Sequence, residues 1–226
     1  MQKTISEQVF EEFCARRGIR CLRVPEGQTP TPDYVIECGS ARIVVEVKEI
    51  TPNKEERESD HLLKTRGYGD GLTTTPGERL RKKISDCSAQ IKARAEGIHP
   101  SLLVVFDRGR VAGHIDPYNI RVAMYGLEQI YLAVPPIGAG SPYATGMGYG
   151  PKRKMTPEDN TSISAIGALF MTGPEETWLH VYHNRFARVP LAPALLGQYN
   201  IEQFELGEEE NGATSKWRAI PRTHEP

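Results

Sequence analysis

Three side chains in one short stretch could do chemistry together: Asp33, Glu46 and Lys48, within TPDYVIECGSARIVVEVKEI. Two carboxylates a few ångströms apart supply the hard oxygen ligands that magnesium takes from protein, leaving its other positions to water and substrate oxygens. Without a cation they repel and one pKa rises; a neighbouring ammonium group partly relieves that repulsion. The trio suits a phosphodiester, because a metal polarises the phosphate and acidifies a water, while the lysine orients that water or stabilises transition-state charge.

The spacing predicts how the three would meet. Residues 33–37 and 42–50 read as strands joined around Cys38-Gly39-Ser40-Ala41. With the turn centred between Gly39 and Ser40, Glu37 faces Arg42, Val35 faces Val44 and Asp33 faces Glu46. An opposite-charge pair and an apolar pair thus coincide, which supports the register. Alternation then gives Asp33, Val35, Glu46 and Lys48 one face, and Tyr34, Ile36, Ile43, Val45 and Val47 the other, which must lie on the core. A surface hairpin with an ion pair from Lys48 to Glu46 or Asp33 is the plainer alternative, but it does not explain why Glu46 and Lys48 stand in a run of valine and isoleucine.

Other elements must hold this hairpin. Val9, Phe10, Phe13 and Cys14 recur at helical spacing over 5–17, with Gly18 where a C-terminal cap belongs. A strand is expected at 20–24 and a Pro/Gly/Thr-rich connection at 25–32. Residues 51–77 are polar and aperiodic and read as a long mobile loop. A second helix over 78–96 carries Leu80, Ile84, Cys87, Ile91 and Ala95 on one stripe. The run SLLVVF at 101–106 suits a central strand covered on both faces. Asp116-Pro117 starts a short helix that stops near Gly126. Strands follow at 129–134, 162–170 and 178–183, the last two a hairpin across Thr172-Gly173-Pro174, with a second long loop at 136–161. The order implies one α/β domain over 1–212, a mixed sheet flanked by helices with extra C-terminal strands, and a flexible tail over 213–226.

With Pro32-Asp33 and Glu46-Val47-Lys48 set in that order of elements, the sequence resembles the PD-(D/E)xK nuclease superfamily over residues 5–107. The resemblance implies the restriction-endonuclease-like fold and an Mg2+- or Mn2+-dependent endonuclease acting on DNA in preference to RNA, in defence or repair. Asp33 and Glu46 would bind the metal together with the Val47 carbonyl. Glu7 would be a further catalytic carboxylate reaching the metal or its water, and Gln90 would stand near the scissile phosphate. Each has a plainer reading: Thr4 and Glu7 fit a capping box, and Gln90, beside Lys83 and Arg94, fits a solvated helix face. The superfamily also has inactive members, so the alternative function is a catalytically weak nucleic-acid-binding subunit of a larger assembly.

Composition sets the remaining bounds. The 226 residues carry a net charge of −1, no global sign of nucleic-acid binding, so contact would fall to local basic clusters, a partner protein or a homodimer. Those clusters are Arg16/Arg17/Arg20/Arg23, Arg79/Arg81/Lys82/Lys83 and Lys152/Arg153/Lys154, whereas Glu208, Glu209 and Glu210 gather near the tail. The glycine-rich segment ahead of Lys152 could track a phosphate backbone or be a plain linker. Gly146-Met147-Gly148 lacks the third glycine of a dinucleotide fingerprint, since Pro151 stands there. His183 and Asn184 suit hydrogen bonding at a strand end. Four scattered cysteines, Cys14, Cys21, Cys38 and Cys87, suit free thiols in a reducing cytoplasm, and no apolar run reaches membrane-spanning length.

Overall fold

The computed structural model describes residues 3–25, 31–68, 75–95, 97–109, 113–173, 176–207 and 215–221. Helix α1 (Ile5–Arg17) begins at a reciprocal capping box between Thr4 and Glu7 and ends at Gly18, whose φ of 67° is the left-handed conformation a helix stop requires. Strands β1 (Arg20–Arg23), β2 (Tyr34–Cys38) and β3 (Ala41–Ile50) form an antiparallel meander. Helices α2 (Lys54–Arg66) and α3 (Glu78–Ala95) then cross over to β4 (Ser101–Asp107), which lies parallel to β3. Helix α4 (Pro117–Tyr125) leads into β5 (Glu128–Ala133) and β6 (Tyr143–Tyr149), a two-stranded ribbon of its own. Strands β7 (Ala165–Met171) and β8 (Thr177–His183), helix α5 (Pro193–Gly197), and strands β9 (Glu202–Leu206) and β10 (Trp217–Ala219) complete the chain.

Among the described residues the main sheet has eight strands in the order β1-β2-β3-β4-β7-β8-β9-β10. Its centre is parallel (β3-β4-β7), and β8 and β9 also pair in parallel. The architecture is therefore mixed α/β with helices on both faces. On one face Phe10, Phe13 and Cys14 of α1 pack against Tyr34, Ile36, Ile43, Val45 and Val47, as the alternation requires. The Tyr34 hydroxyl, the one polar group on that face of the hairpin, donates to Glu11 at 2.9 Å. On the other face Leu80, Ile84, Cys87 and Ile91 of α3, with Ile120, Ala123 and Met124 of α4, cover Ile50, Leu103, Val105 and Ile166. Strand β4 is buried on both sides, as its unbroken apolar run implies. Gly77 lets α3 approach α4 closely: a Cβ there would stand 2.8 Å from the Asn119 carbonyl oxygen.

Three expectations are corrected. The stretch 51–77 is not one long loop, since α2 occupies Lys54–Arg66. Its signal is polar: Asn53 and Glu56 form a capping box, and Lys54–Glu58 and Asp60–Lys64 pair at i,i+4. Its buried residues are Glu56 and Ser59, so it has no apolar stripe to read. Buried Glu56 receives Arg79 at 2.7 and 2.8 Å and lies 2.9 Å from His114, tying α2 to the start of α3 and the segment after β4. The second expected loop, 136–161, contains β6. The sheet also continues past residue 212 into β10. Residues 26–30 of the early connection, Pro174 of the β7–β8 turn, and Glu208, Glu209 and Glu210 lie outside the described residues.

Candidate active site

The register that positions the site is the expected one: Glu37 pairs with Arg42, Val35 with Val44, and Tyr34 with Val45. Asp33 stands one residue before β2, and its Oδ2 accepts from the Val47 N–H at 2.8 Å. The next pair outward would be Val47 with Pro32, and proline has no N–H to offer the Val47 carbonyl. One strand thus ends in a carboxylate beside a carbonyl that lacks its usual β-ladder donor from β2.

Glu46 and Lys48 share the face that α3 covers. Glu46 is 0% exposed, deep beneath the helix, while the Lys48 side chain keeps 25% exposure. Lys48 Nζ stands 2.6 Å from Glu46 Oε1, so that oxygen is ion-paired, while Glu46 Oε2 has no close hydrogen-bond partner among the described residues. Burial, then the negative charge of Asp33, push the Glu46 carboxyl up to about 7 against the pull of Lys48. Burial likewise raises Asp33, partly offset by the Val47 N–H. For Lys48 burial acts downward, but the Glu46 and Asp33 carboxylates outweigh it and hold the ammonium above its ordinary value. The Cys87 thiol of α3 is pushed up to about 12 by burial and by the charge of Glu46, and so stays neutral.

Beside Asp33 and Lys48 lies a cavity of about 350 Å3 lined by Glu7, Arg23, Asp33, Val47, Lys48 and Lys83, among others, while Glu46 stays buried behind its wall. Glu7 is therefore at the site, but already engaged: Oε2 accepts from the Thr4 N–H at 2.6 Å and the Thr4 hydroxyl at 2.8 Å, and Oε1 pairs with Arg23 at 3.2 Å. The capping box and the site share one carboxylate. Lys83 reaches the cavity from α3, with its pKa lowered by burial and then, against the pull of Asp86, by neighbouring cations including Lys48. Sequence reading missed its role; the available signal was its place on the helix flank of Gln90. Gln90 is two turns further along, half-buried, and lines neither this cavity nor the next one along the sheet. His183 and Asn184 are remote from the site. His183 contacts Gln203 at 3.0 Å, and Asn184 donates to the Ile163 carbonyl at 2.8 Å.

The donor set fits a hard divalent cation with open positions. A buried carboxylate is nearly always satisfied, and Glu46, with Lys48 on one oxygen and the other unbonded beside Asp33, has capacity left for a cation. Among the described residues no three His, Cys, Asp or Glu side chains form a ready metal cage. A cation here would draw on Asp33, Glu46 and the Val47 carbonyl, leaving room for water and phosphate. Comparison with models of protein families, with characterised proteins and with solved structures finds no match to this chain.

Proposed function

We propose that this chain is a divalent-metal-dependent nuclease of the PD-(D/E)xK kind, built on the restriction-endonuclease-like fold and hydrolysing phosphodiester bonds of DNA ahead of RNA. One observation carries the reading: Glu46 is fully buried beside a second carboxylate, with Lys48 paired to one oxygen and no close hydrogen bond to the other. A purely structural carboxylate in that position would cost stability without return. The order of helix, three-stranded meander and parallel fourth strand supports the same assignment.

Magnesium or manganese, held by Asp33, Glu46 and the Val47 carbonyl, would supply Lewis acidity and an acidified water. The chain's own residues do the rest. Asp33 is fixed through one oxygen by the Val47 N–H, which leaves the other to face the cavity. Glu46 sheds its proton close to neutral pH, so the site becomes fully anionic only there. Lys48 stays protonated and can donate to the attacking water or to a phosphoryl oxygen as negative charge develops. Lys83 and Arg23 bring positive charge to the cavity for flanking phosphates. Glu7 holds Arg23 and the start of α1, a positioning role unless the Thr4 contacts open.

Cleavage of supercoiled, linear and single-stranded DNA and of RNA with magnesium, manganese or EDTA tests the reading. Metal-dependent cutting that is lost in Asp33→Ala and Glu46→Ala, with calorimetric metal binding lost in parallel, is the expected result. Unchanged metal affinity in both variants would move the site elsewhere. The alternative, a catalytically weak binding subunit, draws on the engagement of Glu7, which leaves two side-chain ligands; no cutting under any metal condition would favour it.

A further inference from the structure

Helix α3 covers β3 and β4 but leaves the same face of β1 and β2 open. Leu22, 40% exposed, with Val35 and Val44 makes an apolar floor there, and Arg23, Arg42, Arg94 and His99 stand around it. The space they enclose is about 390 Å3. Arg23 and Val24 belong to its wall and also to the wall of the carboxylate cavity, so the two are neighbours along the hairpin and together mark a trough on this face. His99 in turn belongs to a smaller cavity of about 150 Å3 that carries Lys92 and Arg188. The acid on the trough floor, Glu37, is neutralised from both sides, by Arg20 at 2.9 Å and Arg42 at 3.6 Å. Arg94 is exposed and has no acidic partner among the described residues.

We infer that this trough binds a single-stranded polynucleotide, the unpaired stretch that flanks the phosphate presented to Asp33 and Glu46. The inference rests on the nuclease reading and adds the form of the substrate. Three features select a single strand. A space of a few hundred Å3 suits a nucleotide-sized group. An apolar floor can meet the face of an unpaired base, whereas in a duplex those faces are stacked out of reach. Cations set along the rim beside an apolar platform are the arrangement that tracks one backbone. The platform here is aliphatic, so bases would be held by contact area with little preference among them. From Asp33 to Glu37 the floor runs four residues, about 13 Å at strand spacing.

The test measures fluorescence anisotropy of short labelled oligothymidine and oligouridine strands, and of a matched duplex, in EDTA so that nothing is cut. Arg94→Ala and Leu22→Glu both change exposed positions, and unaltered thermal unfolding checks that they fold. The expected result is several-fold weaker single-strand binding in Arg94→Ala, with a salt dependence shallower by about 0.7 in log–log slope for one lost phosphate contact. Leu22→Glu should weaken it further, and the thymidine and uridine arms decide between DNA and RNA. Wild-type affinity in both variants overturns the inference, and so does a duplex that binds more tightly and loses as much. A wild type that binds the strands through Arg94 but cuts nothing with any metal keeps the trough and removes the nuclease. Metal-dependent cutting with both variants binding as wild type does the reverse.

Discussion

Two of the antiparallel ribbons, β2–β3 and β5–β6, meet opposite fates. The first keeps one register through five pairs and lies inside the sheet, with α1 over one face of both strands and α3 over the other face of β3. The second shifts register between Tyr131 and Leu132 and, among the described residues, pairs only with itself. Its successive residues Ile130, Tyr131 and Leu132 are 60%, 52% and 60% exposed, although they alternate across the ribbon. Its foot is held by Arg121, which pairs with Glu128 at 2.6 Å, and by the Tyr149 hydroxyl donating to the Ser215 carbonyl. Alternation decides which side chains share a face, while burial depends on what packs there. The same dehydration that packs Ile43 raises the Glu46 carboxyl, and among the described residues β5–β6 has no such enclosure to do either.

That contrast can be broken at several strengths. Lys48→Ala should lower turnover on the order of a hundredfold to a thousandfold, because a charge positioned at developing negative charge is lost. Its effect on folding should be small near neutral pH, since Glu46 can take a proton in place of its partner. Leu132→Ser on the free ribbon should leave turnover at the wild-type level; comparable losses in both variants would show that the ribbon takes part in the chemistry. In urea unfolding, Ile43→Ala should cost about 2–5 kcal/mol as a cavity in a packed core, against about 0.5 kcal/mol or less for Ile130→Ala. Equal costs would mean that the ribbon is covered in solution.

The pH dependence of stability sharpens the same point. The folded Glu46 pKa of about 7 lies above the ordinary 4.5 of the unfolded chain. Between the two the folded state holds a proton that the unfolded state releases, so this group's contribution to stability falls as pH rises through that window. Wild type compared with Glu46→Gln by denaturant melts should show the fall in wild type alone, and added magnesium should oppose it by binding the anionic form. A flat difference between the two proteins across the window would remove the strained carboxylate from the account. The smallest effect expected is at the entrance: Thr4→Ala should cost about 1 kcal/mol by loss of the α1 cap. It would also free one oxygen of Glu7, so metal affinity measured on that variant shows whether Glu7 can join the site.

Much of this site was legible because its determinants are local. Glu37 against Arg42 and Val35 against Val44 fix the register within a dozen residues, and Asp33 then faces Glu46 with no knowledge of the rest of the chain. Helix α2 escaped because caps and i,i+4 charges hold it where an apolar stripe would normally be sought. Strand β6 is interrupted by Gly146 and Gly148, and β9 joins the sheet through a parallel pairing with β8 that no adjacent turn announces. The role of Lys83 depends on where α3 comes to rest over β3, a consequence of the whole crossover. Local pattern reached the residues that touch along a hairpin, and stopped where contact depends on distant chain.

Both margins of the large sheet are short and guarded. At one side β1 offers four residues, with Arg20 and Arg23 at its ends; at the other β10 offers three, with Arg218 in the middle. Unpaired backbone at a sheet margin is a template on which a further strand can grow, and brief, cationic margins are poor templates. The chain can therefore be crowded without its sheets joining margin to margin. The longer margins it leaves open are those of β5 and β6, so a stacking or strand-exchanging defect would start at that ribbon rather than beside the carboxylates.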